Sequence, residues 1–164
     1  MKEDIMANIE EIIEDLKTVD DAINLALTIE NQGQKFYLEK ANTAVSIQAK
    51  DLFTYLAAEE AKHIEYLNDF EKTGNASSIR NVDPADFTAS FEIEFTGAKP
   101  GEMDVLMGAL GIEQKNEEFY NKLAALADDP DQKDFFAIMT SFEHKHLELI
   151  DDFIDEATQF RMQT

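Results

Sequence analysis

The chain has 164 residues, of which 44% are hydrophobic and 30% charged, a size and composition typical of one folded domain. Its 35 Asp and Glu residues outnumber its 14 Lys and Arg residues, and the formal net charge of −21 argues against binding to nucleic acid or anionic membranes. Cysteine is absent, which excludes disulfides, thiolate nucleophiles and iron–sulfur clusters within this sequence.

The first 15 residues are acidic and amphipathic, and they include neither the basic segment nor the apolar core of a signal peptide. No run approaches the roughly 18 apolar residues of a membrane-spanning helix. We therefore expect a cytoplasmic protein without a membrane-embedded part.

Apolar residues recur with helical spacing along most of the chain. Thr18, followed three residues later by Asp21, is a typical N-terminal cap for the first long helix. A shorter amphipathic helix is predicted ahead of that cap. The predicted helices, in chain order, span about 5–16, 19–44, 47–72, 102–128 and 130–160. The sequence thus predicts an all-α domain of four long helices with a short N-terminal helix.

A long connection, residues 74–101, separates the second and third long helices and contains Pro84, Gly97, Pro100 and Gly101. A helix of about 26 residues is about 39 Å long. An extended chain of about 28 residues, at about 3.3 Å each, can run that whole length. Four helices joined up-down-up-down would need only a few residues here. We therefore predict a crossover connection between the second and third helices.

The sequence also repeats itself, because residues 26–70 align without a gap on residues 109–153 after a shift of 83 positions. More than a third of the aligned residues are identical, among them Phe36 and Phe119. Two unrelated amphipathic hairpins would share the apolar spacing but not this many identities. We interpret residues 1–164 as a single domain built from a duplicated helical hairpin, with its halves related by a pseudo-twofold axis.

Six residues with metal-binding side chains take part in this repeat. Each hairpin has one Glu on its first helix and a Glu-x-x-His on its second, and residues three apart share a helix face. They interrupt an apolar stripe, which indicates that they point into the bundle. Each Glu lies about 15 residues, or about 22 Å, from the turn of its hairpin, which places all four at mid-bundle. The six residues are Glu30, Glu60, His63, Glu113, Glu143 and His146.

Four carboxylates in an apolar core repel one another and lose hydration, and two divalent cations would balance their charge. Oxygen-rich ligation with one nitrogen per metal suits iron or manganese. The alternative interpretation is a solvated helix face with two histidines buried by chance, and the repeated register favours the metal. Glu59, whose repeat partner is Phe142, is expected to face solvent or to stand behind the ligands, and His144 is expected at the surface.

This arrangement of ligands is typical of ferritin-like di-iron and di-manganese bundles, and the sequence resembles the rubrerythrins within that superfamily. The resemblance extends over about residues 19–158. It implies a ferritin-like four-helix bundle, with a crossover between helices two and three, around a non-haem di-iron centre. The matching stretches are Ile29-Glu30 with Phe36-Tyr37, Glu59-Glu60-Ala61-Lys62-His63, Ile112-Glu113 with Glu118-Phe119-Tyr120, and Glu143-His144-Lys145-His146.

The resemblance also implies a role for each ligand. Two glutamates would bridge the metals, and each metal would have one further Glu and one His as terminal ligands. The implied bridging residues are Glu60 and Glu143, and the implied terminal pairs are Glu30 with His63 and Glu113 with His146.

Tyr37 and Tyr120 follow their helix ligands by seven residues on the same helix face. They resemble tyrosines that hydrogen-bond to ligand carboxylates in the family. Packing at the edge of the core, without a functional role, is the alternative. Together with Glu60 and Glu143 they are the candidate catalytic residues.

Two departures from the rubrerythrin pattern bear on function. Rubrerythrins usually carry a C-terminal rubredoxin domain with a Cys-ligated iron, and the absence of Cys here implies an external electron donor such as rubredoxin or a reductase. Rubrerythrins also have a Glu three residues after the third-helix ligand, which is associated with a redox-dependent ligand switch and peroxidase activity. That position is Asn116 here, with Gly33 as its repeat partner, and Glu117 is the nearest substitute.

Three functions remain open at this point. The first is a di-iron oxidoreductase that reacts Fe(II) with oxygen or hydrogen peroxide, as a ferroxidase or in defence against oxidative stress. The second is iron storage in a ferritin-like shell, and the third is a metal-free helical scaffold. We expect two iron ions, with manganese as the alternative, in a homodimer that binds neither nucleic acid nor membranes.

Overall fold

Four long helices dominate the computed structural model, which describes residues 11, 13, 16–77, 79–80, 82 and 101–163, with side chains up to residue 158. They agree with the predicted long helices to within a few residues at each end. The short helix predicted for residues 5–16 lies largely outside the described residues. The observed helices are α1 (Val19–Thr43), α2 (Ile47–Thr73), α3 (Glu102–Leu126) and α4 (Pro130–Gln163).

Local sequence signals set several of the helix ends. The backbone N–H of Asp21 donates to Oγ1 of Thr18 at 3.1 Å, so the predicted cap of α1 is confirmed. Ser46 caps α2 in the same way. Gly74 (φ 68°) ends α2 and Gly101 (φ 86°) precedes α3, both in the left-handed conformation that glycine adopts without strain.

The helices pack as two antiparallel hairpins, α1 with α2 and α3 with α4. Two buried apolar clusters fill the interior between the hairpins. One lies near the start of α1 and includes Ile23, Phe70 and Phe135, and the other lies near its end and includes Leu56 and Ile150. Burial of these side chains supplies most of the stabilisation. The polar residues of the repeat fall between the two clusters.

Contacts at the two ends of the bundle fix the direction of the helices. Glu102, at the start of α3, accepts hydrogen bonds from the backbone N–H groups of Val45 (3.1 Å) and Ser46 (2.8 Å) in the turn between α1 and α2. At the other end, the ring of Phe70 in the last turn of α2 stacks on Phe135 near the start of α4, 4.2 Å away. The end of α2 and the start of α3 therefore lie at opposite ends of the bundle.

The crossover was predicted for residues 74–101, which separate these two points in the sequence, and most of these residues lie outside the described part of the chain. What the structure describes is an all-α four-helix bundle, as predicted. Across the described ranges, no helix has the length and apolar character needed to cross a bilayer.

Candidate metal centre

The middle of the bundle, between the two apolar clusters, contains the six residues that the sequence predicted as metal ligands. All four helices contribute, with one Glu each from α1 and α3 and a Glu and a His each from α2 and α4. Each of the six residues is at most 4% exposed. The structure brings together Glu30, Glu60, His63, Glu113, Glu143 and His146.

These residues form two overlapping sets. In the first, one ligand atom from each of four residues lies within 4.8 Å of the others; the set is Glu30, Glu60, His63 and Glu143. Nδ1 of His63 is 3.3 Å from Oε2 of Glu30 and 3.1 Å from Oε1 of Glu143. Atoms that share one metal at about 2.1 Å lie roughly 3 to 4 Å from one another. The first set therefore has the dimensions of a metal site.

The second set is Glu60, Glu113, Glu143 and His146, again within 4.8 Å of one another. Nδ1 of His146 lies 3.8 Å from one oxygen of each of the three carboxylates. This spacing leaves room for an ion among four ligand atoms. Glu60 and Glu143 belong to both sets, a position from which a carboxylate can bridge two ions.

Two fully buried tyrosines contact the site across the bundle. The hydroxyl of Tyr37 donates to Oε1 of Glu113 at 2.5 Å, and the hydroxyl of Tyr120 donates to Oε1 of Glu30 at 2.5 Å. Each tyrosine therefore holds a carboxylate of the other hairpin. Burial, together with the nearby carboxylates, raises the pKa of both hydroxyls well above the ordinary value, so they remain hydrogen-bond donors.

Several buried ligand atoms lack a hydrogen-bond partner among the described residues. They are both carboxylate oxygens of Glu60 and of Glu143, Oε2 of Glu113, and Nδ1 of His146. Buried polar atoms without partners are costly, and native proteins contain few of them. The atoms in question are those that face the centre of the two sets. The residues therefore fit a pair of cations, which would satisfy these atoms.

The pKa values of the four carboxylates divide them into two kinds. Burial, followed by the charges of Glu30 and neighbouring carboxylates, raises the pKa of Glu60 and of Glu143 well above the ordinary value. Burial would also raise the pKa of Glu30, but the charge of His63 and hydrogen bonds from its neighbours lower it to about 2. The pKa of Glu113 is lowered as well, against burial, chiefly by Glu143 and His146.

The two histidines have raised pKa values. Burial would lower the pKa of His146, but interactions with Glu113 and Glu59 raise it to about 9. The pKa of His63 is raised by Glu30 in the same way, against burial. At pH 6 these directions favour, in the metal-free centre, protonated imidazoles, ionised Glu30 and Glu113, and protonated Glu60 and Glu143. The opposite charges of this combination balance, which reduces the cost of burying them.

Glu59 has a larger role at the site than the sequence alone showed. Its side chain is 15% exposed; one oxygen accepts a hydrogen bond from Nζ of Lys62 at 2.7 Å, and the other lies 3.8 Å from Nε2 of His146. Burial would raise the pKa of Glu59, but its contacts with His146 and Lys62 lower it to about 2. Of the two positions expected for Glu59, the structure supports the one behind a ligand.

The residues considered as alternatives lie elsewhere. His144 is at the surface, as predicted, with Nδ1 2.9 Å from Glu117 and Nε2 3.1 Å from Glu148. Glu117 is therefore paired with a surface His, whereas Asn116, one residue earlier, is 1% exposed. The spacing of three residues from Glu113 is the sequence signal that places Asn116 on the inward face of α3.

The fold and the site define a ferritin-like bundle with a carboxylate- and histidine-rich centre able to bind two metal ions. The rubrerythrin family model matches residues 21–154, which is most of the chain, and the chain belongs to the rubrerythrin family. No curated protein and no solved structure shows a significant match.

Proposed function

We propose that this protein binds two iron ions at mid-bundle and acts as a di-iron oxidoreductase that reacts Fe(II) with oxygen or hydrogen peroxide. The observation that carries the proposal is the pair of overlapping four-residue sets that share Glu60 and Glu143. Membership of the rubrerythrin family supports it. Two adjacent iron(II) ions would supply the two electrons that reduce the oxidant.

Within this proposal, Glu60 and Glu143 bridge the ions. Glu30 and His63 are the terminal ligands of one ion, and Glu113 and His146 are those of the other. The donor set of four carboxylates with one imidazole nitrogen per metal favours iron, with manganese as the alternative. Thiolate-seeking metals are disfavoured because the sequence has no Cys.

The surrounding residues would prepare the ligands for this chemistry. Tyr37 and Tyr120 fix the orientation of Glu113 and Glu30 by hydrogen bonds at 2.5 Å. Residues behind metal ligands commonly change metal affinity by about 10- to 100-fold when they are removed. The two apolar clusters lie on either side of the centre and would limit access of water to it. We propose that Glu60, Glu143 and the two tyrosines are the residues on which turnover depends.

The reaction needs a source of electrons to return iron to the ferrous state. Because the 164 residues include no Cys, a rubredoxin-type iron cannot be built from them. The electrons would then come from outside these residues, and we propose a donor such as rubredoxin or a reductase. We also propose that the protein is a cytoplasmic homodimer with a role in defence against oxidative stress or in ferrous iron oxidation.

Iron storage is the second candidate function, and the net charge of −21 supports it, since an acidic surface attracts cations. Storage requires a large closed assembly. Size-exclusion chromatography with light scattering separates the two functions, because a shell of many subunits would support storage and a dimer would support the oxidoreductase.

Metal analysis and activity assays on one purified sample test the main proposal. We expect close to two iron ions per chain, and oxidation of the reloaded Fe(II) protein by oxygen or hydrogen peroxide. The variant Glu60→Ala is the matched control, since it removes one shared carboxylate. Native protein without bound transition metal after reloading would overturn the proposal and favour the scaffold.

A further inference from the structure

Asn116 is a buried amide close in sequence to the candidate ligand Glu113. It lies on α3, three residues after Glu113, so the two side chains share a helix face. Its exposure is 1%, and neither its Oδ1 nor its Nδ2 has a hydrogen-bond partner among the described residues. A buried amide without a hydrogen-bond partner destabilises the fold, which indicates that Asn116 has a role other than packing.

The repeat indicates where the side chain of Asn116 is directed. The equivalent residue of the first hairpin is Gly33, and a Cβ at Gly33 would lie 3.2 Å from Oε2 of Glu60. The equivalent of Glu60 in the second hairpin is Glu143. The pseudo-twofold relation therefore directs the side chain of Asn116 towards the carboxylate of Glu143, beside the Glu113–His146 set.

Asn116 also differs from the two tyrosines at the centre, because its amide N–H group has no hydrogen-bond partner among the described residues. The hydroxyls of Tyr37 and Tyr120 already donate to Glu113 and Glu30. Once the carboxylates bind metal, they offer acceptors but no protons. The Nδ2 group of Asn116 is a buried donor without a hydrogen-bond partner among the described residues, and the repeat directs it towards the centre.

We propose that Asn116 donates a hydrogen bond from Nδ2 to a small anion of two or three atoms that binds beside the Glu113–His146 ion. Gly33 offers no such donor on the other side, so the anion is bound preferentially at one ion of the pair. This proposal rests on the di-iron centre proposed above. It assigns Asn116 a binding role that needs no change of ligand.

Azide is a suitable probe, since it is a small anion whose binding to ferric iron gives a charge-transfer absorption band. Iron-loaded, oxidised protein is titrated with azide, and the variant Asn116→Leu is compared with it. Leu has nearly the shape of Asn but donates no hydrogen bond. We expect unchanged iron content and a Kd for azide about tenfold higher, the effect of losing one hydrogen bond to a charged group.

Two further variants make the result specific. Asn121→Leu removes an exposed amide from the same helix and should leave the Kd for azide unchanged. Asn116→Gly reproduces the residue found at position 33 and should weaken azide binding as Asn116→Leu does. Asn116→Gly also tests the proposal if Asn116→Leu does not fold. In addition, metal-free Asn116→Leu should have an unfolding temperature equal to or above that of the wild type, because an unpartnered amide is removed.

Three distinguishable outcomes would overturn the proposal. An unchanged Kd for azide in iron-loaded Asn116→Leu and Asn116→Gly would overturn the role of Asn116 and leave the di-iron centre intact. A lower unfolding temperature together with loss of iron would show that the amide binds a protein carboxylate instead, which also overturns it. A wild-type protein that binds no iron would overturn the proposed function, and this inference with it.

Discussion

Glu59 and Phe142 occupy equivalent positions of the two hairpins, and each contacts the imidazole supplied by the other hairpin. Oε2 of Glu59 lies 3.8 Å from Nε2 of His146, whereas the ring of Phe142 stacks on His63 with centroids 5.7 Å apart. The two imidazoles are themselves stacked, 5.1 Å apart. An oxygen of Glu59 lies within 4.8 Å of a ring nitrogen of His63 as well, whereas the ring of Phe142 stacks on His63, so the surroundings of the two imidazoles differ.

We expect Glu59→Gln to weaken one ion position more than the other. A carboxylate behind a ligand histidine orients the ring and increases its basicity, and its loss lowers metal affinity by about 10- to 100-fold. Calorimetric titration with Fe(II) or Mn(II) under anaerobic conditions should show a larger loss of affinity at one site than at the other. Glu65→Gln, at an exposed position of the same helix, is the control. Equal weakening of both sites would contradict the predicted inequality.

We expect Glu60→Ala and Glu143→Ala each to reduce occupancy at both positions together, because both carboxylates belong to both ligand sets. Glu30→Ala should reduce occupancy chiefly at one position. Metal content per chain, measured by mass spectrometry after reloading, distinguishes the two patterns. Loss of a single ion from Glu60→Ala would show that this residue does not bridge.

Metal loading at pH 6 should release about four protons for each pair of divalent ions. Two protons come from the imidazoles, whose pKa values are raised, to about 9 for His146, and two come from Glu60 and Glu143, whose pKa values are also raised. The charges of the centre then balance both without metal and with two divalent ions bound. Calorimetry in buffers of different ionisation enthalpy counts the protons. A value near zero would mean that the ligands are already deprotonated.

The metal-free protein should lose stability as the pH rises from about 6 to 9. Glu60, Glu143 and His146 have native pKa values above their unfolded values, so the native state binds more protons and its advantage disappears as the pH passes the raised values. Glu30, with a pKa of about 2, acts in the opposite sense only below about pH 4.5. Thermal melts of chelated protein measure this trend.

Metal-loaded protein is the control for these melts, since metal binding needs deprotonated ligands and the stabilisation by metal should grow with pH. Metal-free protein that becomes more stable between pH 6 and pH 9 would contradict the raised pKa values at the centre.

We expect Asn116→Glu to raise peroxidase turnover. Rubrerythrins, which this sequence resembles, carry a Glu at this position that is associated with a ligand switch, and Asn116 cannot supply the anion. Steady-state assays with hydrogen peroxide, NADH and a rubredoxin partner measure the effect. Glu117→Gln is the matched control, because Glu117 pairs with His144 at the surface. Rapid peroxide turnover in the wild type, unchanged by Asn116→Glu, would exclude the missing Glu as the limitation.

The helices and the six residues at the centre were predictable from sequence, because apolar periodicity and a repeated register both bear on them. The contact of Glu59 with His146 was not predictable, since it joins two hairpins and the repeat partner of Glu59 is Phe142. The same holds for Glu102, whose contacts with the turn at Val45 and Ser46 join segments 56 or more residues apart. A sequence repeat shows which residues the two hairpins share. The roles of residues that differ between the hairpins became clear only from the distances between atoms in the structure.

The two tyrosine contacts across the bundle, described above, have a consequence for how the site is assembled. Tyr37 reaches Glu113 and Tyr120 reaches Glu30, a reciprocal pattern like that between two identical subunits. Each set of ligands also needs a carboxylate from the opposite hairpin. Neither hairpin alone therefore provides a complete set of ligands. Bound ions would thus stabilise the two hairpins only in their docked arrangement.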